Sequence, residues 1–147
     1  MKHKLIIAAS LVLVFIAGML DGTRDTLQFH YEQSIFPRGK EERFLGQGEQ
    51  FWNPAISWRN KYENGDPKQG NRFLGSSTFL VFLTDGWHFL QFLELTCFYL
   101  AIALPLLLLL GLNLWWAVLA IIPFRLGFSA GFTLLYSYLL IRRRGQA

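Results

Sequence analysis

The sequence predicts an all-α membrane protein with about three transmembrane helices and an aromatic-rich polar loop. Three observations predict it. A basic start, Met1-Lys2-His3-Lys4, is followed by the uncharged run Leu5–Leu20. Eight of the ten acidic residues lie between Asp21 and Asp66. From Phe73 to Ile141 the only charged residues are Asp85, Glu94 and Arg125. Such a stretch offers too little charge for a water-facing surface, and a bilayer is its economical solvent. Only 16% of the chain is charged, against about 25% in a soluble domain.

Residues 1–20 have the form of a signal anchor, with a basic end and an apolar centre. Ala17-Gly18-Met19-Leu20 places bulky residues where a cleavage site needs small ones, so an uncleaved helix is expected. Sixteen residues cover ~24 Å, slightly less than a ~30 Å hydrocarbon core. Lysine snorkelling absorbs such a mismatch.

Residues 21–77 form the polar loop. It carries eight Lys/Arg and eight Asp/Glu, together with nine aromatics that include Trp52, Trp58 and Tyr62. Turn signals stand at Phe36-Pro37-Arg38-Gly39, Asn53-Pro54, Asn64-Gly65-Asp66-Pro67 and Gly70-Asn71. Short helices are expected over Asp25–Ile35 and Lys40–Leu45. The aromatics suit a membrane surface, because Trp and Tyr combine an apolar body with one polar atom.

Residues 78–141 are expected to form a helical hairpin of two spans. Ser76-Ser77-Thr78 offer caps ahead of the apolar run Phe79–Leu110. Thirty-two helical residues would reach ~48 Å, so Phe79–Thr84 is expected to lie outside the core, with Trp87 at the interface. Gly111-Leu112-Asn113 reads as the turn. The last span, Leu114–Ile141, is measured by its aromatic belts. Trp116 to Tyr136 is twenty residues, or ~30 Å, which matches the hydrocarbon thickness. A rival with four spans breaks the helices at Pro105 and Pro123.

Residues 142–147 form a basic tail. Arg142, Arg143 and Arg144 follow an apolar run directly, the place of a membrane-flanking anchor, and no nucleic-acid partner is expected. Orientation signals conflict. Counting positive charges puts the loop and tail in the cytoplasm, whereas the signal-like start puts the loop outside. The single cysteine, Cys97, excludes an intrachain disulfide, a Cys-rich zinc site and an iron–sulfur cluster.

Ionisable groups in apolar segments need a reason. Asp85 and His88 share a helix face and are candidates for catalysis, with Asp25 and His30 joining them from the polar loop. Asp85, His88 and His30 are also metal-ligand candidates, because Asp21, Asp25 and His30 after the first span fall on the membrane side of Asp85 and His88. No cofactor is named by any motif, since HExxH, GxSxG, P-loop and GxGxxG are all missing. Axial counting from Trp87 and Tyr136 predicts an ion pair between Glu94 and Arg125. Gly127 and Gly131 form a GxxxG motif for close helix packing, within the chain or against a second copy.

The segments Phe51-Trp52-Asn53-Pro54-Ala55-Ile56-Ser57-Trp58-Arg59-Asn60-Lys61-Tyr62, Gly75-Ser76-Ser77-Thr78 and Thr84-Asp85-Gly86-Trp87-His88 resemble an uncharacterised family of small bacterial integral membrane proteins. The likeness covers roughly the middle third of the chain. It implies a bacterial membrane location and brings no activity or site.

The expected function is that of a non-enzymatic membrane protein: a subunit, assembly or lipid-contacting module of the bacterial inner membrane. Its expected partners are membrane lipids and either another membrane protein or further copies of itself. The alternative is a membrane-embedded enzyme with an interfacial Asp/His site, metal-dependent or not. A proton or ion path through Glu94 and Arg125 is a third expectation, and it requires an oligomer.

Overall fold

A computed structural model describes residues 2–36, 44–113 and 115–134. Among them the regular structure is helical, and three helices are long and apolar enough to cross a membrane. These are α1 (Lys2–Phe29), α4 (Gly86–Leu109) and α5 (Trp115–Thr133). Between α1 and α4 lie the one-turn helices α2 (Glu49–Trp52) and α3 (Pro54–Ser57) and a chain of 3-10 turns.

Helix α1 runs nine residues past the expected end at Leu20. The hydroxyls of Thr23 and Thr26 donate back to the Met19 and Gly22 carbonyls, so they are satisfied within the helix, and Asp21 pairs with Arg24 one turn on. The short helix expected over Asp25–Ile35 is therefore replaced by the last five residues of α1 and a 3-10 turn at Tyr31–Gln33. Of the helix expected over Lys40–Leu45, most lies outside the described residues. Phe44 and Gln47 close a tight turn, with Leu45 and Gly46 at positive φ.

The start of the second span also differs from expectation. Ser76, Ser77 and Thr78 cap nothing there. Ser76 is buried and donates to the Lys61 carbonyl, and Ser77 donates to Asn71. Helix α4 begins at Gly86, with Asp85 as its cap, and Val81–Leu83 forms a separate 3-10 turn outside it. The cap fits the rule that a carboxylate at this position satisfies a free helical N–H.

Helix α4 ends as its sequence suggests. The Leu112 N–H donates to Leu107 O and the Gly111 N–H to Leu108 O, with Gly111 at φ +66. This paired pattern requires a left-handed residue, which glycine supplies at little cost. Pro105 and Pro123 lie inside α4 and α5 without breaking them, so the four-span alternative fails. The belt residues Tyr136 and Tyr138 and the Arg142–Arg144 tail lie outside the described residues.

The chain divides into two compact units. One comprises Val14–Cys97. Its core is Leu27, Tyr31, Phe36, Trp52 and Leu90, with Phe44, Phe51 and Phe89 packed against them. Trp52 is the hub: its ring meets those of Phe36, Phe44 and Phe51, and its indole N–H donates to the Phe44 carbonyl. Gly86 sits against the face of Trp52 so closely that a Cβ would collide with it. The other unit comprises Met1–Leu13 and Phe98–Ala147. There α4 and α5 pack Ala103 and Leu107 against Ala117. Apolar side chains elsewhere on these helices stay exposed, as lipid-facing surfaces do.

Candidate functional site

Asp21, Arg24 and Glu94 meet where the last turns of α1 approach the first turns of α4. Arg24 is the centre. Its guanidinium donates through Nη1 to Glu94 Oε2 at 2.5 Å and through Nη2 to Asp21 Oδ1, one turn back on α1. It also lies over the Trp87 ring, 5.3 Å from the centroid. Glu94 is 8% exposed and could not keep its charge so far from water without such a partner. The planar fork of arginine lets one side chain serve two carboxylates and an aromatic face at once.

Trp87 links this cluster to a second one. Its other neighbour is the His88 ring, edge-on at 5.0 Å. His88 Nδ1 lies 2.8 Å from both carboxylate oxygens of Asp85. Asp85, 2% exposed, also accepts the His88 backbone N–H at 2.9 Å and the Thr84 hydroxyl at 3.2 Å. Its carbonyl accepts the Phe89 N–H, the first bond of α4. Asp85 thus caps the helix and fixes the imidazole with one carboxylate. Asn60 braces the junction from the loop by donating to both Gln50 O and Thr84 O.

The sequence candidates are only partly brought together. Asp85 and His88 meet as expected. Asp25 is exposed on α1, and His30 is exposed just beyond it. No group of three His, Cys, Asp or Glu side chains able to hold a metal forms among the described residues. The expected convergence of Asp21, Asp25 and His30 on Asp85 and His88 is therefore not seen there, because Asp21 is turned to Arg24.

Glu94 is held by Arg24, which stands on α1 beyond the helix end expected at Leu20. Arg125 belongs to the other unit, close enough to the Tyr99 hydroxyl to interact with it electrostatically. The space around Gly127 and Gly131 is open, so among the described residues the GxxxG motif closes no helix pair.

Chemically, a carboxylate on Nδ1 leaves Nε2 as the imidazole's working nitrogen, the arrangement of an oriented general base. Among the described residues Nε2 has no hydrogen-bond partner, and the His88 side chain is about a quarter exposed at 27%. Helix capping accounts for the Asp85 contact with the His88 N–H. No family model, no curated protein and no solved structure matches the chain. The resemblance carried by Phe51–Tyr62, Gly75–Thr78 and Thr84–His88 rests on those residues alone.

Proposed function

We propose that the chain is a multi-pass membrane protein of the bacterial inner membrane, acting as a non-catalytic subunit or assembly module that contacts lipid and a membrane-protein partner. One observation carries the proposal. Among the described residues, both buried carboxylates of the Val14–Cys97 unit are engaged internally, Asp85 as a helix cap and Glu94 as the counterion of Arg24. Groups spent on holding helices together are scaffold rather than catalyst. The apolar exposure of α1, α4 and α5 supports the membrane part of the proposal.

Purification of the tagged chain from native membranes in a mild surfactant tests it. The expected result is stoichiometric recovery of a membrane-protein partner, unchanged by His88→Ala. Recovery of the chain alone, with a chemical activity that His88→Ala abolishes, would favour the second reading. That reading is an interfacial enzyme using His88 as acid or base, and the Asp85 carboxylate on Nδ1 supports it.

A further inference from the structure

We infer that the segment Phe73–Leu83 is an interfacial anchor, inserting its apolar side chains into the same bilayer that α1, α4 and α5 cross. The inference rests on the multi-pass proposal above.

The segment is built, not loose. The Arg72 N–H and the buried Ser76 hydroxyl both donate to the Lys61 carbonyl, at 3.0 and 2.6 Å. Gly75 turns the chain at φ +81, and the Leu80 N–H returns to its carbonyl at 2.9 Å. The Phe79 ring lies so close over Gly75 that a Cβ there would stand 2.6 Å from it. Despite this order, the segment presents Leu74 at 85% exposure, Phe79 at 68% and Leu83 at 55%. A fixed loop that holds large apolar groups outward is a surface made for contact.

Its position says what covers it. Leu83 stands three residues before Gly86, where α4 begins. Phe82 stacks on Phe92, with ring centroids 4.1 Å apart and planes 17° apart. Phe92 is six residues into α4, or ~9 Å along its axis. The segment therefore lies alongside the first turns of the span rather than projecting away from it. Depth follows from charge. The uncharged remainder of α4, Leu95–Leu109, starts just after Glu94, and the uncharged run Leu5–Leu20 ends just before Asp21. These are fifteen and sixteen residues, ~23 and ~24 Å. The Asp21–Arg24–Glu94 cluster thus marks the edge of the hydrocarbon, and Phe92 lies within one turn of that edge. Leu74, Phe79 and Leu83 are offered at headgroup depth, where interfacial elements bury apolar groups ~5–10 Å. Lys68, Asn71 and Arg72, all exposed, supply the polar rim immediately before them.

Single nitroxide labels on the full chain test this, in a Cys97→Ala background. Leu74→Cys, Leu83→Cys, Lys68→Cys and Ile102→Cys are reconstituted in phosphatidylethanolamine–phosphatidylglycerol vesicles. Collisions with oxygen, which partitions into lipid, are compared with collisions with a water-soluble nickel chelate. Labels at Leu74 and Leu83 should favour oxygen several-fold more than the label at Lys68, approaching Ile102 on α4. Labels at Leu74 and Leu83 matching Lys68 while Ile102 favours oxygen would overturn the anchor and leave the spans standing. An Ile102 label that favours nickel would overturn both.

Discussion

Arg24 of α1 and Glu94 of α4, seventy residues apart in sequence, are joined by a 2.5 Å hydrogen-bonded ion pair at the edge of two uncharged runs. The pair fixes the register of the two helices in the Val14–Cys97 unit. Both side chains are mostly buried, at 18% and 10% exposure. Removing Arg24 takes the counterion from Glu94, whereas removing Glu94 leaves Arg24 paired with Asp21. Arg24→Gln should destabilise by about 3–5 kcal/mol and Glu94→Gln by less. The double variant should cost much less than the sum, which thermal unfolding in detergent measures. Additive losses would show that the pair carries no coupling.

Asp85 should behave as a cap. Asp85→Ala should cost about 1 kcal/mol. Asp85→Asn keeps an oxygen for the His88 N–H and should cost less. His88→Ala should leave the unfolding temperature nearly unchanged, because the backbone N–H bond survives. Equal losses for Asp85→Ala and Asp85→Asn would show that charge, not capping, is what matters there.

Gly86→Ala should be costly although the position is helical. The added methyl meets the Trp52 ring, and Trp52 is held by Phe36, Phe44 and Phe51. Overpacking of this kind costs about 1–3 kcal/mol. In a Trp52→Phe background the same change should cost less. Equal cost in both backgrounds would place the strain elsewhere.

Tyr31 gives a pH dependence. Its hydroxyl is buried, with no hydrogen-bond partner among the described residues. Burial, then Glu49 and Glu32 nearby, push its pKa above the usual 10.0. A phenol with a raised folded value contributes stability that is intact below the unfolded pKa, about 10, and is lost as pH rises through the folded value. Alkaline titration of phenolate absorbance, compared with Tyr31→Phe, should show one tyrosine ionising late. A difference spectrum with the midpoint of free tyrosine would contradict the burial.

The three apolar helices were legible because charge is sparse in them, with Glu94 the one acidic or basic residue of α4 and Arg125 that of α5, and because Gly111 marks a turn that a left-handed residue completes. The Asp85–His88 contact was legible from i, i+3 spacing. Glu94's partner was not. Counting inward from Trp87 and Tyr136 gives axial depth but not which helix stands alongside, and Arg24 was hidden by ending α1 at Leu20. The i, i+3 spacing of Asp21 and Arg24, an ion pair along a helix, was the missed signal. The cap of α4 was misplaced for a related reason. Ser76, Ser77 and Thr78 have capping chemistry, but Gly75 and the 3-10 turn at Val81–Leu83 keep the chain from entering a helix until Asp85.

The central claim is that α1, α4 and α5 each cross the bilayer once. Sidedness of thiol labelling tests it most directly. In a Cys97→Ala background, Lys4→Cys, Lys68→Cys and Asn113→Cys are exposed to a membrane-impermeant maleimide in sealed vesicles of known orientation. Lys4 and Asn113 should label from one side and Lys68 from the other. Labelling of all three from the same side would contradict the account.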